Sequence, residues 1–383
     1  MAERMDAFDV AIVGGGPAGL ATAIGARLAG LSVVVLDRRQ PPIEKACGEG
    51  LMPDAAARLA ELGVQLPPGA SHPIRGIRYV DGPVVAEGIF PGRGGLGVRR
   101  LALHQALVAR AAEVGVELRW GTPVRGLWWA GVETDEGPVE AHWVVGADGL
   151  LSAVRRWTRL EGEPVPPGRR RFGVRRHYAL APWSDLVEVH WGPECEAYVT
   201  PVSPEEVGIA LLWSGPPAPT VRGFDDLLGR FPALAARVAG VPASSRDRGA
   251  GPLAQRVRGV VRGRVALVGD ASGYLDAITG EGLAVAFHQA SALVAVIAGG
   301  AAGDLARYAA AHRRIGRLPG FVTGLVLACE RRPALRRRAV AALAAEPALF
   351  SRLLGIHGRT LPPRRLGFDG ALRLAWRLVA RTA

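Results

Sequence analysis

Three glycines near the amino terminus have the spacing and surroundings of a dinucleotide-binding turn. Gly14, Gly16 and Gly19 follow the apolar run 8–13 and open an alanine-rich stretch, 17–28. In such a strand–turn–helix unit the first glycine permits a tight turn, the second lets the backbone approach a pyrophosphate, and the third lets helix and strand pack closely. Amide groups at the helix amino terminus then face the phosphates. We therefore predict a dinucleotide phosphate site here.

An acidic residue extends this site. The apolar run 33–36 ends in Asp37, about 20 residues beyond the glycine turn, where a carboxylate can accept a hydrogen bond from a ribose hydroxyl. This unit alone fits a nicotinamide dinucleotide and a flavin dinucleotide equally well, so later motifs must distinguish them.

Two later aspartates also follow apolar runs. Asp148 comes after the run 143–145, and Asp270 after the run 265–268. Open α/β sheets bind ligands at the carboxyl ends of their strands. Both aspartates are therefore expected at the same edge as the glycine turn.

The order of these motifs resembles that of the flavoprotein superfamily that contains aromatic hydroxylases, geranylgeranyl reductases and flavin-dependent halogenases. The resemblance covers roughly residues 5–310. It implies an α/β fold: a Rossmann-like FAD-binding domain of glutathione-reductase type, an antiparallel β-sheet substrate domain and a C-terminal helical appendix. FAD is the implied cofactor, and NAD(P)H the transient reductant. By position, Asp148 would lie near the pyrophosphate and nicotinamide, and Asp270 would bind the ribityl chain.

The resemblance implies further cofactor contacts. An arginine at the start of a helix touches the flavin nucleotide in related enzymes, and Arg100 is the better candidate, with Arg99 second. Gly280 and Gly282 would let backbone amides reach the N1–O2 edge of the isoalloxazine ring. Negative charge develops there on reduction, and a helix amino terminus would stabilise it.

A second glycine-rich segment, 92–97, also fits the dinucleotide pattern. A nicotinamide site is one interpretation. Pro91 interrupts the approach and no firm strand precedes it, so the sequence favours an ordinary loop.

The Cys-Gly segment 45–51 resembles the geranylgeranyl reductases more than the hydroxylases. Cys47 could face the flavin ring or be a small buried residue, so it is a candidate for both cofactor binding and catalysis. Hydroxylases usually have a histidine soon after the Gly-Asp pair, and the family a proline where Ala277 stands; neither occurs here. The Trp-x-Trp-x-Ile motif of the halogenases is also absent, which argues against halogenation.

The sequence predicts a discontinuous domain organisation. Antiparallel strands are expected within 172–213, and alternation in 187–191 indicates a sheet with one covered face, the expected substrate floor. The predicted segments are FAD-binding domain 1–70, substrate domain segment 71–97, FAD-binding domain 98–165, substrate-binding sheet domain 166–254, FAD-binding domain 255–330 and basic helical region 331–383.

Several residues of this predicted sheet could bind or activate a substrate. His177 and His190 could help deprotonate a phenol, but each is expected on a strand surface. Tyr198 is an aromatic candidate for an apolar pocket, as are the tryptophans Trp183, Trp191 and Trp213, which are equally ordinary core residues. The catalytic candidates are therefore Cys47, His190 and Tyr198.

Composition indicates a globular cytoplasmic enzyme. The chain has 383 residues, 49% of them hydrophobic, and only three cysteines. An odd number of widely spaced cysteines indicates neither a disulfide framework nor a metal site. The amino terminus has no signal-peptide apolar region, and the longest apolar stretch, 283–302, is interrupted by polar residues and predicts a buried helix.

The net charge of +12 is concentrated in residues 331–383. Within them Arg373, Arg377 and Arg381 recur at helical spacing. This pattern suits an amphipathic helix at an anionic membrane, peripheral to its inner face, or a solvated helix packed on its own domain. No motif for nucleic-acid binding accompanies the charge.

The leading functional hypothesis is an NAD(P)H-dependent FAD monooxygenase that hydroxylates a hydrophobic small molecule, such as a polyketide-derived aromatic or a phenolic lipid, through a C4a-hydroperoxyflavin. Two alternatives stay open: a reductase of prenyl double bonds, and a membrane-docked flavin electron-transfer protein.

Overall fold

The computed structural model describes residues 7–215, 223–299 and 304–367, which form a mixed α/β fold. The strands of these residues, in chain order, are β1 Ala7–Val13, β2 Val33–Asp37, β3 Gly50–Leu51, β4 Ser71–Ile74, β5 Gly76–Asp81, β6 Val84–Ile89, β7 Gly95–Val98, β8 Glu117–Trp120, β9 Val124–Trp128, β10 Gly131–Thr134, β11 Gly137–Gly146, β12 Arg171–Tyr178, β13 Leu186–Trp191, β14 Cys195–Ser203, β15 Glu206–Ser214, β16 Arg248–Ala250, β17 Val261–Arg262 and β18 Val265–Leu267.

The helices of the same residues include five that begin with proline, a residue that suits the first helical turn because it lacks an N–H group. In chain order they are α1 Pro17–Leu28, α2 Pro53–Glu61, α3 Arg100–Glu113, α4 Ala153–Trp157, α5 Phe224–Leu228, α6 Pro232–Val238, α7 Gly282–Ile297, α8 Leu305–Glu330, α9 Pro333–Ala345 and α10 Pro347–His357.

The first sheet contains the predicted βαβ unit. Its strand order is β17-β18-β11-β1-β2-β8, with β9 and β10 as a hairpin beside β11. Strands β18, β11, β1, β2 and β8 run parallel, so their carboxyl ends share one edge. The apolar runs of β1 and β2 are buried, as expected for strands covered on both faces. The motifs at positions 14–19, 148 and 270 therefore lie at this edge.

The second sheet has the order β16-β12-β15-β14-β13-β5-β6. The predicted strands within 172–213 all form, and their neighbours pair antiparallel. Strands β5 and β6 come from the predicted segment 71–97, and β5 pairs parallel with β13. A short third sheet, β3-β7-β4, includes the end of the Cys-Gly segment as β3 and contacts β14 of the second sheet through β4 and β7.

The glycine-rich segment 92–97 is only partly a loop. Its end, Gly95–Val98, forms β7 between β3 and β4. A side chain on Gly95 or Gly97 would overlap the backbone oxygens of Leu51 and Pro201, respectively. These glycines therefore permit close strand packing, and the loop prediction was wrong for this half of the segment.

The last four helices pack in two places: α7 on α1, with α8 against α7, and α9 and α10 on the edge of the second sheet. Helix α7, predicted as buried, packs against α1, and α8 follows it. Helices α9 and α10 cover β6. In the described part of the chain no helix alone has the length and apolar character to cross a bilayer. Helices α9 and α10 are long and apolar enough only when taken together, and the angle between them is 106°. Positions 373, 377 and 381, assigned above to an amphipathic helix, lie outside the described residues.

Candidate functional site

A cavity of about 1190 Å³ joins the first sheet to the second. At one end it is lined by the glycine turn and by the aspartates at the strand ends. At the other end it is lined by the inner face of the second sheet and by apolar side chains of α8, α9 and α10. One continuous space thus connects the predicted dinucleotide site with the predicted substrate floor.

The three glycines of the turn have different surroundings. Gly14 has φ +111°, and a Cβ there would lie 2.5 Å from the carbonyl oxygen of Ala147. A Cβ on Gly19 would overlap the carbonyl oxygen of Gly14. At Gly16 the nearest protein atom would be Nη2 of Arg100, 4.0 Å away. Gly14 and Gly19 are therefore required by packing, whereas Gly16 leaves room for a ligand.

Asp37 lies at the end of β2 and lines the cavity. One carboxylate oxygen accepts the N–H of Gly15 at 2.8 Å, and the other accepts the N–H of Arg39 at 2.9 Å. These bonds fix the carboxylate beside the glycine turn. Each oxygen retains a second lone pair for a ligand hydroxyl.

The mid-chain aspartate lines the cavity and caps a short helix. Asp148 accepts the hydroxyl of Ser152 at 2.5 Å and the N–H groups of Ala153 and Val154 at 2.6 and 3.2 Å. Its carboxylate therefore holds the first turn of α4 at the cavity wall. That Asp148 lies near the pyrophosphate and the nicotinamide remains a prediction.

The late aspartate forms an ion pair that the sequence did not reveal. Lys45 Nζ lies 2.7 Å from Asp270 Oδ2, and both side chains are partly exposed to the cavity. The Nη1 atom of buried Arg155 donates to the carbonyl oxygen of Ala271 at 3.1 Å. The Cys-Gly segment and the late motif therefore meet at one wall.

Arg100 and Arg99 have different environments. Arg100 begins α3, lines the cavity and has a guanidinium beside Gly16. Arg99 instead pairs with Glu206 at 2.7 Å. This arrangement favours Arg100 for a nucleotide contact, as the sequence did.

Gly280 and Gly282 both line the cavity at the start of α7. Gly280 has φ +69°, and a Cβ there would meet no protein atom within 4 Å. The first amide groups of α7 have no intrahelical acceptor, so they provide donors and positive potential at this wall.

Glu281, between these two glycines, is buried beside a histidine. Its Oε2 lies 3.4 Å from Nδ1 of His357. Burial raises the pKa of Glu281 to about 8, although Arg359 opposes that shift. Burial also lowers the pKa of His357. Both side chains are therefore neutral near pH 7, which leaves the positive end of α7 uncompensated.

Replacing Glu281 with glutamine should change the pH dependence of stability. The folded-state pKa of Glu281 exceeds its usual value of 4.5, so folding takes up a proton between about pH 4.5 and 8. Stability from this group is therefore present at low pH and falls as pH rises through that window. As pH rises through this window, the free energy of unfolding of the variant should increase relative to that of the wild type by up to about 1.4 kcal/mol per pH unit.

Urea unfolding at several pH values would measure this difference. The exposed Glu136, changed to glutamine, is the matched control and should track the wild type. A constant difference between Glu281→Gln and wild type across pH 5 to 8 would contradict the assignment.

The inner face of the second sheet lines the part of the cavity that the sequence predicts to hold a substrate. Val187, Val189 and Tyr198 line it, and the hydroxyl of Tyr198 donates to the carbonyl oxygen of Ile278 at 3.0 Å. Burial raises the pKa of Tyr198 well above its ordinary value, so this hydroxyl stays protonated. Cys47, in the Cys-Gly segment, lines the same cavity.

Other predicted residues lie outside this lining. His190 alternates with Val189 along β13 and binds Glu188 at 2.9 Å, so its ring is on the opposite face. Trp183 and Trp213 pack on a separate core cluster, and Trp191 packs among buried residues. Of the predicted aromatic residues, only Tyr198 reaches the cavity wall.

His177 is buried, so its predicted surface position was wrong. Its Nε2 forms a short contact with Glu49, and its Nδ1 lies 2.8 Å from the hydroxyl of Ser245. Glu49 has φ +59° and also accepts the N–H of Arg100 at 2.8 Å. This dyad joins the Cys-Gly segment, α3 and β12.

A larger buried ion cluster also went unrecognised. Arg171 is surrounded by Glu196, Asp276 and Glu330. Asp276 accepts the N–H of Ile278 at 3.0 Å and so holds the loop before α7. No local pattern in the sequence indicates this cluster, since its members belong to four different segments.

The residues present fit FAD. Gly16 and Gly280 leave open space toward the cavity, and the three predicted motifs share one wall. Among the described residues, no three His, Cys, Asp or Glu side chains are grouped to hold a metal ion.

Comparisons with known proteins support FAD as the cofactor. Residues 7–192 match the family model of an FAD binding domain. The chain is 27% identical over 313 residues to the dialkyldecalin synthase of Streptomyces rugosporus, covering 73% of this chain but only 63% of that protein. It is 29% identical over 305 residues to the menaquinone reductase of Mycolicibacterium smegmatis, 72% of each chain. The rifampicin monooxygenase of Streptomyces venezuelae matches at 32% over 41% of this chain and 35% of its own length.

The fold is shared with solved flavoproteins. A flavoprotein/dehydrogenase from Cytophaga hutchinsonii has a TM-score of 0.79 at 16% identity, over 97% of this chain and 98% of that chain. A geranylgeranyl bacteriochlorophyll reductase-like protein from Thermoplasma acidophilum has a TM-score of 0.68 at 20% identity, over 97% and 96%. Likeness at such identities concerns the fold alone.

Proposed function

Because the chain belongs to the FAD-dependent oxidoreductases of the superfamily that contains aromatic hydroxylases and geranylgeranyl reductases, we propose that it reduces a carbon–carbon double bond in a long apolar substrate of isoprenoid type. NAD(P)H is the proposed source of electrons. The observation that carries the proposal is the single cavity that runs from the FAD motifs, over the apolar face of the second sheet, to α8, α9 and α10.

Two observations favour reduction over the hydroxylation expected from sequence. A phenol hydroxylase benefits from a base near its substrate, but His190 is outside the cavity lining and His177 is buried against Glu49. The menaquinone reductase also aligns with 72% of this chain, the monooxygenase with 41%. Hydroxylation is the second candidate, supported by that monooxygenase relative and by the enclosed apolar space.

The chain's own residues have defined tasks in this proposal. The turn 14–19 and the start of α1 hold the pyrophosphate, Asp37 a ribose hydroxyl, and Asp270 the ribityl chain. FAD, when bound and reduced by NAD(P)H, would supply a hydride to the alkene. The start of α7 stabilises negative charge on the reduced ring. The apolar face around Val189 and Tyr198 positions the alkene and excludes water.

Reduction of an alkene also requires a proton on the second carbon. In this proposal the thiol of Cys47 supplies it, since Cys47 belongs to the Cys-Gly segment that lines the same cavity as the sheet face. Solvent returns the proton to the thiolate after product release.

Anaerobic turnover tests the proposal. Enzyme with NADPH and a geranylgeranyl lipid or prenylated quinone should yield a product two hydrogens heavier by mass spectrometry. A product one oxygen atom heavier, formed only in air, would support hydroxylation instead. No product from either class of substrate, with FAD bound and reducible, would refute both.

Cys47→Ala should lower the anaerobic rate by about 100-fold, the size typical of a lost proton donor, and retain FAD. Cys329→Ala is the matched control, because Cys329 is equally half-buried but lies outside the cavity lining. Equal rates for both variants would remove Cys47 from the mechanism.

A further inference from the structure

Three large apolar side chains are exposed together at the edge of the cavity. Phe321, Leu325 and Leu275 are 65%, 52% and 54% exposed. Phe321 and Leu325 lie four residues apart and so share one face of α8. Leu275 is adjacent, because its Cδ1 is 3.4 Å from where a Cβ of Gly320 would lie. We call these three residues the α8 patch.

The α8 patch continues into the cavity. Phe321 and Leu325 line the cavity as well as facing solvent, and so do their half-buried neighbours Leu318 and Val322. Farther in, apolar side chains of α9 and α10 continue the lining. An apolar path therefore leads from the protein surface to the space above the predicted flavin site.

Exposed arginines are abundant in the C-terminal helices that line this path. Residues 304–367 contain 13 arginines and three acidic residues. Of these, 11 arginines are exposed, whereas Asp304 is the one exposed acidic residue. Arg314 and Arg317 precede Phe321 by about two turns and one turn of α8, so they share its exposed face. A helical face that combines basic side chains with Phe and Leu is typical of a helix lying at an anionic bilayer interface.

We propose that the α8 patch docks on an anionic lipid bilayer, so that a substrate dissolved in the bilayer enters the cavity without crossing water. A soluble protein partner would cover the patch but would not need an apolar path into the cavity, whereas a lipid substrate does. The positive charge of the surrounding helices favours anionic lipid in particular. The residues of the α8 patch are not the basic positions 373, 377 and 381 considered from the sequence, and the entry of substrate rests on the proposed function.

Sedimentation of the full-length FAD-bound protein with vesicles tests the docking. The wild type should bind vesicles that contain phosphatidylglycerol, less so those of phosphatidylcholine alone, and raised salt should weaken binding. Phe321→Ser with Leu325→Ser should weaken binding by about tenfold or more, since two apolar side chains no longer enter the acyl region. Arg314→Ser with Arg317→Ser should reduce the preference for phosphatidylglycerol.

The matched control is Leu28→Ser with Val85→Ser, two exposed apolar residues far from α8 in the sequence. It should bind as the wild type does. Residues 368–383 stay intact in every variant, and circular dichroism with FAD content checks folding. Wild-type binding by the Phe321/Leu325 variant would overturn the docking. So would a dimer that this variant dissociates while vesicle binding is unchanged, since a second copy would then cover the patch.

This measurement needs no turnover. Patch-dependent vesicle binding without alkene reduction would refute the proposed function and leave the docking standing. Reduction of a detergent-solubilised substrate by a protein that does not bind vesicles would refute the docking and support the proposed function.

Discussion

Gly16→Val is expected to abolish retention of FAD while the protein still folds. The backbone at Gly16 is extended, with φ −77° and ψ 176°, so valine fits it without strain. Its side chain would project into the space left open beside Arg100, where the pyrophosphate is expected to approach. We expect binding at least about 100-fold weaker, equivalent to about 2.8 kcal/mol.

Flavin absorbance after reconstitution and titration measures this loss. Gly168→Val is the matched control: a Cβ there also meets no atom within 4 Å, but Gly168 is exposed and outside the cavity lining. Circular dichroism should show both variants folded. Full flavin affinity in Gly16→Val would mean that the open space at this turn does not receive the phosphates.

The parts of the site predictable from sequence are those encoded locally. The turn around Gly16 and the carboxylate of Asp37 follow buried strands directly, so a short window fixes both residue type and position. The same holds for Asp148 and Asp270, which follow parallel strands of one sheet. Because these strands are parallel neighbours in one sheet, the residues that follow them lie at the same edge.

The parts that sequence missed depend on distant partners. His177 and Glu49 are 128 positions apart, and alternation along β12 alone could not show that the histidine faces a buried carboxylate. The helices after residue 330 were expected as an appendix. The pattern of apolar residues in these helices did not indicate which element they pack against. That they form part of the cavity wall is visible only in the structure, where α9 and α10 pack on β6.

The Arg171 cluster shows how distant segments become one unit. A single buried guanidinium contacts carboxyl groups from β14, from the loop before α7 and from the end of α8. Burial raises the pKa of Glu196 to about 8, and Arg171 lowers it only in part. Burial likewise raises the pKa of Asp276. The loop that carries Gly280 therefore depends on this cation.

Arg171→Met should lower the free energy of unfolding by about 3–5 kcal/mol near neutral pH. Methionine occupies a similar volume but leaves buried carboxylates without a cation, the costly outcome for a broken buried pair. The loss should shrink toward pH 5, because the proton uptake that keeps these buried carboxyl groups neutral then costs less free energy. Urea unfolding at the two pH values measures both effects.

Arg169→Met is the control for this substitution, because Arg169 is exposed and two residues away; a change within about 0.5 kcal/mol is expected. Adding Glu196→Gln to Arg171→Met should restore part of the stability near neutral pH, since glutamine, unlike Glu196, is neutral when buried without taking up a proton on folding. Equal stability of the Arg171 and Arg169 variants would show that solvent, and not Arg171, satisfies these carboxylates. The loop before α7 would then be held by the hydrogen bond from Tyr198 to Ile278.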